Sequence, residues 1–326
     1  MDPIVIKYLS SFKFGELQHY QNMGVIPLLT SLDSSPEYLT LKEALEKKKL
    51  KITEVSQQGA VPELKVINEA EISVLLLDGE EVVGAKQNRV LNTTILLKEK
   101  SETIIPVSCT EQGRWAYSSK EFSDSDTVMS TRLRSIKAKT VSDTLADSQE
   151  YHSDQGTVWN AIEELSEEAE ALSETGAMKA VFDVKKKDLD AYLKAFASIP
   201  GQKGVLAFVD GKVVGCDYIS LQSAYNLLHS KLIKSYAVDA LLQKGPHTGQ
   251  PDVKMAEEFF ADVVECQEKK YESIGKGWDY RFEGKALVGS ALKFGNKVIH
   301  MAFFAVSESD KTGEMAGYRR RTRFRS

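Results

Sequence analysis

The chain has little of what usually reveals a site by inspection. Its three cysteines, Cys109, Cys216 and Cys266, are too few and too scattered for a disulfide framework. No CxxC occurs, which excludes a zinc ribbon and a thioredoxin-like redox motif, and a reducing interior is the natural compartment. The five histidines, at 19, 152, 229, 247 and 300, show no ligand spacing, so no metal site is expected. Neither GxGxxG nor a P-loop is present, and no cofactor is implied. No run approaches the ~20 apolar residues that cross a bilayer. The opening MDPIVIKYLSSFKFGELQHY lacks a long apolar h-region and a small-residue cleavage site. A cytoplasmic protein without membrane association is expected.

What is there describes a large globular chain. Its 326 residues suffice for a sizeable core, and 42% hydrophobic with 27% charged residues excludes the disordered and membrane classes. Lys+Arg 42 against Asp+Glu 47 gives a net charge of -5, which argues against general nucleic-acid binding. Two basic stretches stand apart from this balance. Arg132, Arg134, Lys137 and Lys139 put four cations in eight residues, and the tail carries five arginines between 319 and 325. The tail has the charge to bind phosphates or RNA; a solvated tail, or one docked on the acidic helix face near residues 163–170, fits equally.

Patterning predicts an α+β fold: an antiparallel, β-rich N-terminal half with hairpins, then a half that mixes helices and β-hairpins. The expected divisions are 1–116, a loop and basic connector over 117–150, and 151–326, with one continuous domain as the alternative. Ile4-Val5-Ile6 reads as a short strand, Asn22-Met23-Gly24 as a turn, and Ser34-Ser35-Pro36 as the lead into a short helix that Thr40 caps. Residues 72–77 form an apolar run interrupted only by Ser73, as in a strand covered on both faces. Asp78-Gly79 supplies a hairpin turn, and a second hairpin joins residues 93–97 to 103–107. Pro106 belongs at a strand end or edge. Residues 117–127, rich in Ser and Asp, read as a loop. Asp154 or Thr157 caps a helix, residues 221–242 form the longest amphipathic stretch, and residues 286–306 form a late hairpin. DGEEVVG and DGKVVG share the chemistry of an Asp-Gly turn.

Two polar clusters interrupt the strands of residues 74–115. In the first, Lys86 and Arg89 are cations, and Gln87 and Asn88 offer amide donors and acceptors. With Asn92 nearby, the set suits a polyanionic, hydrogen-bonding ligand such as a nucleotide. In an extended 85–91 segment, Lys86 and Asn88 face one way and Gln87 and Arg89 the other, unless Gly84 introduces a bulge. In the second cluster Glu111 has the chemistry of a general base, Gln112 and Arg114 of ligand orienters, and Trp115 of a stacking platform. Cys109 becomes a nucleophile if Arg114 or His152 lowers its pKa, and is otherwise a small buried residue. His152-Ser153-Asp154 has the letters of a triad, but adjacent residues cannot form the relay. His152, Asp154 and Gln155 instead lend a helix start to the same site. Glu80 and Glu81 face opposite sides of a strand, so at most one serves a reaction.

VLLLDGEEVVGAKQNRVLNTTILL, IPVSCTEQGRW and YHSDQGTVWN together resemble a bacterial family named for association with ADP-ribosylglycohydrolases and the rhodanese/phosphatase superfamily. The resemblance runs over most of the chain. It implies a neighbourhood in ADP-ribose or NAD-linked metabolism, and no reaction. The expected function is binding of a nucleotide-like small molecule. An enzymatic version is a hydrolase or transferase with Glu80 or Glu111 as acid/base. The alternative is a non-enzymatic interaction or regulatory protein that docks on RNA or a protein partner through residues 132–139 and the arginine tail.

Overall fold

The computed structural model describes residues 1–32, 36–243 and 249–306. The chain opens with α1 (Pro3–Ser10), β1 (Lys13–Phe14), β2 (Gln18–Tyr20), β3 (Met23–Leu29), β4 (Tyr38–Thr40) and α2 (Leu41–Glu46). Strands follow: β5 (Leu50–Glu54), β6 (Glu63–Asn68), β7 (Ser73–Leu76), β8 (Glu80–Gly84), β9 (Arg89–Leu91), β10 (Ile95–Leu97), β11 (Ser101–Cys109) and β12 (Phe122–Val128). Next come α3 (Thr131–Ser148), α4 (Gln155–Glu168), α5 (Lys179–Val184), α6 (Lys186–Ala195), β13 (Gln202–Val209), β14 (Lys212–Ile219) and α7 (Gln222–Leu242). The last elements are α8 (Val253–Val264), β15 (Gln267–Glu272), β16 (Trp278–Glu283), β17 (Leu287–Phe294) and β18 (Lys297–Ala305). This is the expected α+β class, strand-rich in its first half.

The strands make three sheets. The largest runs β1-β3-β13-β14-β18-β17-β16-β15, with β2 also on β3, so the first strands of the chain pair with strands from its second half. The pairing of β3 with β13 crosses the expected division at residue 116. A small sheet, β10-β7-β4, contains the parallel pair β4·β7. The third, β12-β8-β9-β11-β6-β5, is the one that carries the site. Its outer strands β12 and β5 lie against each other, so the sheet wraps around an apolar interior of Ile52, Leu64, Val66, Val82, Leu91, Ile105 and Val107.

Local chemistry explains several elements. Thr40 and Glu43 form a capping box that starts α2, as the sequence predicts. Asp154 caps α4 by accepting from the Thr157 N–H at 2.6 Å. Helix α7 buries most of its surface, from Ala224 to Ala240, and leaves one stripe, Ser223, Asn226 and Leu227, exposed. A buried ionic layer joins α3 to the sheets. Arg134 grips Asp217 with two hydrogen bonds of 2.7 and 2.9 Å, and Tyr236 and His300 add to the same carboxylate at 2.6 and 3.3 Å. Lys137 pairs with Asp78, and Arg281 with Asp279 at 2.6 Å.

Several expectations change. Ile4-Val5-Ile6 is not a strand but the middle of α1, because Asp2 caps the Ile4 N–H and Pro3 takes the first helical position. The first turn lies at Gln21 and Asn22, and Met23 and Gly24 already belong to β3. Asp78-Gly79 does turn, with Gly79 at φ 82, yet β7 and β8 do not pair. The turn passes the chain from the small sheet to the wrapped one. Likewise β10 pairs with β7 and β11 with β6 and β9, so residues 93–107 are no hairpin. Pro106 sits inside β11, where pairing changes from β6 to β9, so its missing donor falls at the handover. Half of the expected loop 117–127 is strand β12, whose polar residues border a register shift between Asp124 and Val128. Residues 34 and 35, His247 and the arginine tail lie outside the described residues. Among those described, no helix is long and apolar enough to cross a membrane.

Candidate functional site

The register of the wrapped sheet selects the residues at one end of its interior. Directly paired residues share a face, as do alternate residues along a strand. Glu54 pairs with Leu64, Leu64 with Ile105, Leu91 with Val107, Cys109 with Arg89, and Arg89 with Val82. Glu54, Cys109 and Arg89 therefore continue the inward rows of apolar side chains, and each lies at the end of its strand. They ring the mouth of the wrapped sheet. Mouths of this kind are common ligand sites.

Two loops roof this mouth. After Gly84 at φ 126, Ala85 adopts φ 38, an uncommon backbone for a non-glycine residue, and the chain bends through Gln87 before β9 begins. Residues 85–88 are thus not extended, and the alternation that would separate Lys86 from Arg89 does not apply. Both meet the Trp115 ring, Lys86 Nζ at 5.1 Å and the Arg89 guanidinium carbon at 5.6 Å from its centroid. Lys86 also lies 5.2 Å from the Tyr117 ring and donates to the Gln58 carbonyl at 2.5 Å. Trp115 and Tyr117 are about half exposed, so cations and aromatic faces meet at the surface.

Arg114 ties the roof together. It donates to Glu111 Oε2 at 2.6 Å, to the Ala85 and Ala116 carbonyls at 2.8 and 3.0 Å, and to Asn88 Oδ1 at 3.1 Å. Glu111 is equally committed, accepting from Arg114, from Thr175 at 2.7 Å and from the Asn88 N–H at 3.2 Å. Burial works to raise its pKa, but these bonds outweigh burial and hold it below the usual carboxylate range. As an anion it joins three loops. Gln112 offers its carbonyl to Gln87 at 3.3 Å, and its side chain is exposed.

Arg89 is different. It is fully buried, and Nη1 donates to Gln87 Oε1 at 3.1 Å and to the Asn88 carbonyl at 3.3 Å. Its Nε and Nη2 have no hydrogen-bond partner. Burial, the largest influence, lowers its pKa. Glu54, 7% exposed, receives the Lys86 N–H on Oε1 at 3.2 Å, while its Oε2 is also without a partner. Glu54 is the residue that sequence reading missed. Leu50, Ile52 and Glu54 alternate inward, so a carboxylate continuing a buried apolar row was the available signal.

The remaining candidates are placed elsewhere. Glu80 lies at the opposite end of β8, ion-paired with Lys231 at 2.8 Å and accepting the Leu77 N–H. Burial pushes the Cys109 thiol up to about 11, with Arg89 acting in the opposite direction. Asn92 donates to the Tyr151 carbonyl, accepts from Ser108 on its side-chain oxygen and from Lys137 on its backbone carbonyl. Gln155 clamps both backbone groups of Cys109, at 2.8 and 3.0 Å, and docks α4 on β11. Asp154 is the helix cap, and His152 pairs with Glu150 at 3.3 Å. Nor is the segment 132–139 a free basic surface. Arg134 and Lys137 are buried against carboxylates, Arg132 pairs with Glu168 at 2.9 Å, and Lys139 with Asp143 at 2.6 Å. Among the described residues no group of three or more His, Cys, Asp or Glu is arranged to hold a metal ion.

No curated protein and no solved structure matches the chain. A family model matches residues 11–304, which include the wrapped sheet, both roof loops and all three residues of the mouth. The chain belongs to the ARPP-1 family, the ARG and Rhodanese-Phosphatase-superfamily-associated Protein domain.

Proposed function

We propose that the chain binds a nucleotide-like anion, in the ADP-ribose or NAD class, at the mouth of the wrapped sheet. One observation carries the reading: Arg89 is fully buried with two donor nitrogens unbonded and no carboxylate in contact. Burying a charge without a counterion is costly, and an anion from outside the chain supplies the missing partner. Lys86 adds a second cation, and Trp115 and Tyr117 offer faces on which a base stacks. The family's name adds an association with ARG proteins, which points the same way without specifying a reaction. The carboxylates of the roof are bound into its framework, so the reading is recognition rather than turnover.

Calorimetric titration with ADP-ribose, NAD and AMP tests this. Saturable heat with at least one of them, lost in an Arg89→Met variant that keeps the native circular dichroism, is the expected result. Folded wild-type protein that gives no heat with any of them overturns the reading, as does equal affinity in the variant.

A further inference from the structure

The mouth contains more than a site for an anion. Arg89 and Glu54 both stand at the end of the inward rows of the wrapped sheet, Arg89 with Nε and Nη2 unbonded and Glu54 with Oε2 unbonded, and they form no ion pair or hydrogen bond with each other. Glu54 belongs to the built site: it is more than nine-tenths buried, and the backbone of Lys86 holds its other oxygen. The surroundings converge on Gly59. A Cβ there would stand 3.2 Å from the Lys86 stem, 3.3 Å from Glu54 Oε2 and 3.3 Å from the Trp115 ring. Gly59 also has φ +78, so a side chain at this point is disfavoured twice. Both loops close over the carboxylate, with Tyr117 donating to the Gln57 carbonyl at 3.3 Å.

A bare anion does not satisfy this pair. It accepts from Arg89 but meets Glu54 as a like charge, and Oε2 still lacks a donor. A ligand that satisfies both needs an anionic oxygen and a hydroxyl that donates. We propose that Glu54 and Arg89 together select a hydroxyl-bearing phosphate ester, the ribose-phosphate pattern, with a sugar hydroxyl donating to Glu54 Oε2 and phosphate oxygens accepting from Arg89 Nε and Nη2. The proposal rests on the binding reading above. It makes Glu54 the residue that distinguishes a sugar phosphate from a simple polyphosphate.

Glu54→Gln retains the oxygen that accepts from Lys86 and removes the charge. Titrating wild type and variant with ADP-ribose, ribose 5-phosphate and inorganic pyrophosphate separates the outcomes. The expected result is opposite signs: the variant loses roughly tenfold in affinity for the two ribose phosphates, as removal of one charge-assisted hydrogen bond implies, and binds pyrophosphate more tightly. Ribose 5-phosphate binding as well as ADP-ribose assigns the site to a free sugar phosphate, and a clear preference for ADP-ribose assigns it to the nucleotide. Both support the proposal. Wild-type binding of ADP-ribose that is unchanged or improved in Glu54→Gln overturns the role of Glu54 alone. Wild-type protein that binds neither ribose phosphate overturns this proposal, and the binding reading falls with it when NAD and AMP also give no heat.

Discussion

Arg134 and Arg89 are both fully buried, and their surroundings differ. Arg134 holds Asp217 with two hydrogen bonds, and its Nε, though without a hydrogen bond, faces Asp78 Oδ2 at 4.0 Å. Burial opposes its charge, but Asp217 more than compensates and raises its pKa. Arg89 has a glutamine side chain and a carbonyl on one nitrogen, nothing on the other two, and a lowered pKa. A guanidinium buried with its carboxylate joins elements of the fold. One buried without a carboxylate is positioned for a partner that the chain does not supply. The contrast separates architecture from recognition where composition and burial alone do not.

The largest effect expected comes from breaking the Arg134 side. Asp217→Ala leaves that guanidinium buried without its counterion and frees Tyr236 and His300 as well. Removing one partner of such a pair costs about 3–5 kcal/mol. Urea denaturation should show a matching fall in unfolding free energy, and a midpoint close to wild type would show that this layer contributes little.

A smaller effect concerns a carboxyl on the other face of β8. Glu81 is fully buried among the hydroxyls of Thr110 and Thr127, at 2.6 and 3.1 Å, with no cation bonded to it. Burial, only partly offset by these hydroxyls, raises its pKa to about 7. Between its unfolded value and that figure the native chain retains a proton that the unfolded chain has released. Stability therefore falls as pH rises through this window, by about 3 kcal/mol in all. Glu81→Gln should remove that slope. Unfolding free energies of wild type and variant at pH 5 and pH 8 test it, and parallel pH dependences would count against the assignment.

The same contrast explains what could be read from the sequence. Capping at Thr40 and Asp154, the long amphipathic helix α7 and the hairpins β13–β14 and β17–β18 depend on neighbours in sequence, and all were legible. Pairing over long separations was not. DGEEVVG and DGKVVG use the same turn chemistry, yet the second closes a hairpin while the first passes its chain between sheets, because the partners of β7 and β8 lie elsewhere. Four cations in residues 132–139 look like a surface until Asp217 and Asp78 arrive from distant strands. For the site, the sequence singles out the clusters 86–89 and 111–115, and the structure brings the two together without their division of labour having been legible. Arg114 resembles a ligand clamp in sequence and proves to tie loops together, while Glu54, four residues past the start of an unremarked strand, lines the mouth.

The smallest effect sharpens the comparison most. Arg89→Met removes a buried charge that has no ionic partner and replaces it with an apolar chain of similar reach among Val82, Leu91 and Val107. It also frees Gln87 Oε1 and the Asn88 carbonyl, which sets a modest opposing cost. Replacement of buried charge by apolar volume is often neutral or stabilising, and one lost neutral hydrogen bond costs about 1 kcal/mol. The two nearly cancel, so the variant should unfold within about 1 kcal/mol of wild type in the urea experiment that reveals the Asp217→Ala deficit. A loss of the size expected at Asp217 would mean that Arg89 already has its partner within the fold. Near-neutral stability, together with the loss of ligand heat, would assign the charge to recognition, because a side chain buried at no benefit to folding needs another reason to be there.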